Sequence, residues 1–206
     1  SLYISNFEAT SNPTTLFIGV KVQLSIVLWE NSKAPKTNDN LQLYTTNYKR
    51  CYTSERNYLL DNLSYVYPKI LDGYITRMSS SIEQTILTNL FKNKVLGNFI
   101  SASRNNYSLY YRNMGNFFFK LAFQEEPKYY KDGVEQTSST VSQLFAKTQE
   151  DSLIITGLIN SSLFYYYWIL FSDCYHLSKS DISNFPFDLE KLSTSQRIEL
   201  IKSTKK

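Results

Sequence analysis

The run Leu163–Phe171 reads LFYYYWILF, nine aromatic or aliphatic residues in succession with no charge. A membrane span needs roughly 18 such residues, and this run is bounded by Asn160-Ser161-Ser162 and by Ser172-Asp173. It is too short to cross a bilayer and too apolar to lie in water, so the chain must build a core around it. Apolar residues make up 42% of the 206 positions and aromatics 16%, enough for a sizeable core, and the 19% of charged residues excludes wholesale disorder. The length fits one large domain, or one domain with a smaller appendage. Ile154, Leu158, Ile159, Leu163 and Tyr166 recur at three- and four-residue spacing, which predicts one long helix over Ser152–Phe171 with Asp151 as its cap.

Charge and cysteine content narrow the function classes. The net charge is +4 and the pI near 8.8, a mild basic bias to which the Lys202, Lys205 and Lys206 tail contributes. That balance permits nucleic-acid contact without demanding it. Seventeen tyrosines look like base-stacking material, but an AT-rich coding sequence yields the same excess. Cys51 and Cys174 stand far apart with no metal-ligand spacing, and one histidine cannot assemble a conventional zinc site. A reduced, cytoplasmic setting is expected. The chain starts at Ser1 without methionine and is apolar from Leu2, the pattern expected of a piece of a longer protein.

Along the chain, apolar and polar residues alternate from Val20 to Ile26, predicting a half-buried strand with Gly19 as a bend. Glu30–Asn40 reads as a loop, Leu41–Thr46 as a short strand and Thr53–Leu63 as a helix. Ser80 and Glu83 form a capping box before an apolar stripe of Ile82, Ile86, Leu87, Leu90, Phe91 and Val95, which predicts a core-facing helix stopped by Gly97. Phe99–Ser101 and Tyr107–Arg112 read as strands, and Asn113–Asn116 as a turn into a strand at Phe117–Phe123. Glu125–Gln136 reads as a polar loop. Ser193 and Gln196 form a second capping box that opens a terminal helix with Ile198, Leu200 and Ile201.

Several chemistries are missing. No Asp/Asn-Pro-Pro-aromatic loop holds a base for amino-methylation, no Gly-rich turn holds S-adenosylmethionine and no Gly-x-x-x-x-Gly-Lys loop cradles phosphate. The metal-nuclease pattern has one formal match, Glu126-Pro127-Lys128, with proline at its centre and no upstream Pro-Asp. Ordinary loop charge accounts for it.

The order of words in the chain carries more. Leu158–Phe187 reads LINSSLFYYYWILFSDCYHLSKSDISNFPF. It resembles a segment near the end of type IIG-like restriction-modification enzymes, the adenine-specific DNA methyltransferases with a TaqI-like specificity domain. In that family an NSSLF-aromatic-Trp helix, an SD-x-x-(H/R)-L loop and a (D/E)-I-x-x-FP exit follow one another. Leu16–Ile26 is similar to the family's LF-x-G-V-(K/R) strand at the end of the methyltransferase core. Tyr44–Arg50 with Glu55-Arg56, and Tyr110–Asn113, are similar to its TT-x-Y-x-R…ER and YYR segments. The resemblance spans about residues 14–188. His176 stands where arginine is frequent, and Tyr167 where tryptophan or phenylalanine is common, which puts the recognised sequence in doubt.

The resemblance implies an α+β architecture of mixed helices and short antiparallel strands. Residues 1–36 would be strands left over from a methyltransferase sheet, and residues 37–206 a target-recognition domain. It implies double-stranded DNA and the N-terminal methyltransferase core of the same protein as partners. S-adenosylmethionine is implied for the parent protein and no cofactor for this fragment, whose parent methylates adenine and carries its catalytic motifs before Ser1. The implied work of this piece is to grip and read duplex DNA while the other half extrudes an adenine. The DNA-binding residues, reading base edges or, for Lys and Arg, holding phosphates, would be Asn106, Tyr110 and Arg112 on the strand segment, with Tyr175, His176 and Lys179 on the loop. Each has a plainer alternative: Arg112 pairing with an acid, Tyr110 facing the core, His176 packing, Lys179 solvated. Two rival functions stay open, a protein-interaction module that docks a separate catalytic subunit, and a divergent metal-dependent nuclease using Glu126 and Lys128.

Overall fold

A computed structural model describes residues 1–7, 24–30, 42–49, 53–68, 70–71, 74–114 and 121–205. They form two compact units, Ser1–Thr88 and Asn89–Lys206. Five α-helices and several small sheets make the fold mixed α+β, as expected. The division at Thr88 differs in place from the boundary read between residues 36 and 37. In particular, the strand Leu43–Lys49 of the first unit lies beyond that boundary and pairs with Leu2–Phe7 at the start of the chain.

The first unit is built on a three-stranded sheet in the order β2-β1-β3. β1 (Leu2–Phe7) runs antiparallel to β2 (Leu24–Trp29) and parallel to β3 (Leu43–Lys49), so this sheet is not purely antiparallel. The β1–β3 register shifts between Ile4 and Asn6, and the Asn6 side chain occupies the irregularity. Its Nδ2 donates to the Thr46 carbonyl at 2.6 Å and to Thr45 Oγ1 at 3.1 Å, while its Oδ1 accepts from Ser25 Oγ at 2.8 Å. One buried amide thereby satisfies groups on all three strands, the condition for placing it there at all. The strand read over Val20–Ile26 is seen from Leu24 onward; residues 20–23, Gly19 and the loop over residues 31–40 lie outside the described residues.

The helix expected over Thr53–Leu63 is a 3-10 helix at Thr53–Tyr58 followed by turns, with Tyr58 exposed. A small hairpin, β4 (Ile70–Leu71) with β5 (Tyr74–Ile75), precedes α1 (Ser81–Leu90). The Ser80–Glu83 box is only half formed: Glu83 N donates to Ser80 Oγ at 3.3 Å, but the carboxylate reaches past the Ser80 amide to accept from that of Ser79 at 2.7 Å. The apolar stripe behaves differently from its reading. Leu87 and Leu90 are buried, but Ile82 is 71% exposed, and α1 stops at Leu90 rather than at Gly97. A 3-10 turn at Leu96–Phe99 takes up the next residues, so Phe99 is helical rather than extended.

The second unit packs the helix Gln149–Ile159 against a three-stranded antiparallel sheet, order β10-β6-β7. β6 (Ser108–Arg112) is central, β7 (Ala122–Phe123) lies on one side and β10 (Val141–Phe145) on the other. The hairpin partner expected after residues 113–116 is thus seen at its end; residues 115–120 lie outside the described residues. Glu125–Gln136 is not a plain loop, because β8 (Tyr129–Lys131) and β9 (Val134–Gln136) pair through an Asp132-Gly133 turn. Both turn residues have positive φ, 54° and 78°, the geometry that a two-residue primed turn requires and that Asp-Gly supplies.

The long helix read over Ser152–Phe171 is two helices, α2 (Gln149–Ile159) and α3 (Ser162–Phe171), set 67° apart. Thr148, not Asp151, caps α2: its side chain accepts from the Asp151 amide at 3.0 Å. Ser161 caps α3 in the same way. Asn160, at the break, sends its side chain to the sheet. Its Oδ1 accepts from the Leu121 and Ala122 amides at 2.7 and 2.9 Å, and its Nδ2 donates to the Ala122 carbonyl at 2.9 Å. The amide thus occupies the place that the peptide of a next strand would take beside β7. Periodicity alone does not register such a tertiary bond, so the apolar spacing ran straight through it.

Around the break the apolar run finds its cover. Phe164 packs edge-on to Phe185 with ring centroids 5.2 Å apart, and Tyr167 meets Phe185 and Phe171 at 5.1 Å. Phe164, Trp168, Leu170, Leu177, Ile182 and Phe185 are buried together with Ile154, Ile155, Leu158 and Ile159 of α2. Burial pushes the Tyr167 phenol far above its ordinary value. No single helix among the described residues is long and apolar enough to cross a membrane. The chain ends in α4 (Lys179–Ser183) and α5 (Thr194–Thr204), the latter opened by the expected Ser193–Gln196 box.

Candidate nucleic-acid interface

β6 has the alternation that splits a sheet into a core face and an open face. Leu109 and Tyr111 are buried, while Ser108, Tyr110 and Arg112 point the other way. The core phenol is therefore Tyr111, which burial pushes above its ordinary value, and Tyr110 is on the open face. Register places Gln143 of β10 and Phe123 of β7 directly beside Tyr110. Gln143 Nε2 donates to the Tyr110 hydroxyl oxygen at 3.1 Å, and the Arg112 guanidinium lies over the Phe123 ring, 5.7 Å from its centroid. Arg112 is the single charged residue on the three strands, so nothing acidic on them opposes an anion.

At the end of β6 a second segment joins this face. His176 forms an isolated antiparallel bridge with Met114, and the Leu177 amide donates to the Asn113 carbonyl at 3.0 Å. The Ser172–Leu177 loop is held by four further hydrogen bonds. Trp168 Nε1 donates to the His176 carbonyl at 3.1 Å, the Cys174 amide donates to Ser172 Oγ at 3.0 Å, and the Asp173 Oδ1 accepts from the amides of Tyr175 and His176 at 2.8 and 2.7 Å. Cys174 takes a positive φ of 55°, which turns the chain between Asp173 and Tyr175.

Asp173 Oδ2 lies 2.6 Å from His176 Nδ1. Partial burial raises the Asp173 carboxyl, but the His176 amide and imidazole and the Tyr175 amide outweigh it and hold the group below its ordinary value. With Nδ1 engaged by the carboxylate, Nε2 is the ring nitrogen that faces outward from the pair. The His176 ring meets Tyr175 edge-on at 4.7 Å, and both residues are exposed. Lys179, exposed, follows the Ser178 cap whose box is closed by Asp181.

Five of the six residues singled out from the sequence therefore fall into two linked groups. Tyr110 and Arg112 lie on the open face of β6, and Tyr175, His176 and Lys179 lie on the segment bridged to the strand's far end. Asn106 is exposed but precedes β6, beyond the Asn105 side chain that accepts from the Tyr107 amide. It sits at the opposite end of the strand from the loop. Gln143 and Phe123 were not singled out. In Val141-Ser142-Gln143-Leu144-Phe145 two polar residues stand side by side and Gln143 shares its face with two apolar ones, so the sequence does not single it out, and only the pairing register sets it beside Tyr110. Of the nuclease pair, Lys128 lies 3.6 Å from Glu135 across the β8–β9 hairpin, and Glu126 is exposed. Among the described residues no three His, Cys, Asp or Glu side chains gather to hold a metal.

Comparison with protein-family models, with curated proteins and with solved structures finds no match for this chain.

Proposed function

We propose that the chain is a DNA target-recognition piece of a restriction-modification adenine methyltransferase, gripping duplex DNA and reading its bases while a separate catalytic half transfers the methyl group. The observation that carries this reading is the open face of β6, where an arginine with no acidic residue on the described strands of its sheet, a tyrosine hydroxyl and a side-chain amide stand side by side. Donors and acceptors on a sheet or ribbon that fits the major groove are what base reading requires. The Tyr175–His176 loop, bridged to the end of that strand, adds a phenol and an imidazole. The mild positive charge of the chain supplies the sequence-independent part of binding. The ordered resemblance over residues 14–188 supplies the enzyme class, with S-adenosylmethionine and the cytoplasmic setting belonging to that parent protein.

The test is selection of this chain against a random-sequence duplex library at low salt, followed by sequencing of the retained DNA. An enriched short motif is expected, with affinity that falls as salt rises. Absence of binding at every salt concentration refutes the reading. A second reading, docking of a separate catalytic subunit, draws on β2, where Trp29 is 76% exposed with Val27 and Leu28 beside it. Co-purification with such a subunit in the absence of DNA affinity would favour it.

A further inference from the structure

We infer that Gln143 is a specificity-determining residue that reads an adenine edge in the major groove, with Tyr110 as its positioning residue. This rests on the DNA-reading function proposed above. Gln143 and Tyr110 are directly opposite in the antiparallel β10–β6 pair, and their side chains share the open face. Gln143 is exposed, so its amide needs no partner for burial reasons. Yet one of its N–H bonds is given to the Tyr110 oxygen at 3.1 Å, which holds a flexible side chain in one orientation.

The remaining groups are informative. A carboxamide has two N–H donors and one carbonyl acceptor. With one donor spent on Tyr110, the other N–H and Oε1 remain as an adjacent donor–acceptor pair. That pair matches adenine, whose N7 accepts and whose N6 amine donates. It does not match guanine, which presents two acceptors, nor cytosine, which presents a donor alone. Arg112, one same-face position along β6, offers donors only and sits over Phe123, so it suits guanine or a phosphate instead. Tyr110 keeps its own O–H to donate, since its oxygen is the acceptor in the pair.

The experiment is the same selection on duplex DNA, run with the intact chain and with Gln143→Ala, Gln143→Glu and Tyr110→Phe. Thermal melts check that each variant folds, which the exposed position of residue 143 favours. For the intact chain an adenine is expected at one position of the motif. Gln143→Ala should relax that position alone, by about 5- to 150-fold, the range of a bidentate base contact. Gln143→Glu should shift it toward cytosine, because a carboxylate accepts from the cytosine amine. Tyr110→Phe should weaken discrimination at that same position and leave the others unchanged. A motif that survives Gln143→Ala and Gln143→Glu unaltered overturns the assignment while DNA reading stands. Failure of the intact chain to enrich any motif overturns both.

Discussion

Replacing Asn160 by alanine is the most searching test of the fold. The asparagine amide accepts from two backbone N–H groups and donates to one carbonyl, and the strand residues it serves are closed to water, Leu121 at 2% exposure and Ala122 at 0%. An orphaned buried group costs about 1–3 kcal/mol, and a water entering the space left by the amide can recover part of that. For three groups with such partial rescue the expected loss is about 2–4 kcal/mol, a large part of the roughly 5–15 kcal/mol that holds a domain together. In a unit of this size each kilocalorie lowers Tm by about 3–6 °C, so the melt should fall by roughly 6–24 °C. Thermal melting followed by circular dichroism reads the total. Native-state hydrogen exchange reads the place, with the Leu121 and Ala122 amides losing protection first. A Tm within about 2 °C of the parent, or unchanged protection at those two amides, would refute the claim that the side chain completes the sheet.

Four further outcomes follow from particular contacts. Trp168→Phe removes the indole donor from the His176 carbonyl and leaves a void where a side chain only 2% exposed had packed, so it should cost about 2–4 kcal/mol while loosening the Ser172–Leu177 loop, which amide exchange across that loop measures. Asp173 has a folded-state value below its ordinary 3.8, so its contribution is complete above that value and fades as pH falls through the lowered one; an acid titration should show the Tyr175 and His176 amides shifting in that acid range, and Asp173→Asn should abolish that step. Gly133→Ala meets no neighbouring atom but forces an L side chain to φ 78°, so it should destabilise the β8–β9 hairpin by about 1 kcal/mol and leave the remainder of the second unit intact by hydrogen exchange. Arg112→Ala should lower the slope of log affinity against log salt by about 1 if the guanidinium meets a phosphate, or erase a single guanine from the selected motif if it meets a base; loss of neither removes Arg112 from the interface.

What the sequence revealed about this fold depended on how local the governing interaction was. The alternation at Ser108–Arg112 and the Ser193–Gln196 box are decided within a few residues, and both are found in place. The β8–β9 hairpin was equally legible, since Asp132-Gly133 is a strong turn signal; it was hidden by the charges and proline that made the region look like a loop. The break at Asn160 was not legible, because its cause is a hydrogen-bond partner nearly forty positions earlier in the chain. Ile82 and Ile86 fit a helical stripe perfectly well, but spacing states only that residues share a face, and nothing among the described residues closes over them. The candidate site divides in the same manner. Tyr110 and Arg112 share a face by their spacing of two, whereas the bridge that brings His176 to Met114 and the register that brings Gln143 to Tyr110 are long-range facts.

Asn160 has one more effect, and it concerns growth rather than stability. A sheet ends safely only when its last strand offers no template to another chain. At Ala122 the outward N–H and C=O are both taken by a side chain of the same molecule, so no foreign strand can add there. The sheet is therefore sealed along that margin at the cost of a single residue, without a bulge, a proline or a row of charges. Any polymerisation through this sheet would have to start from the opposite margin, at β10.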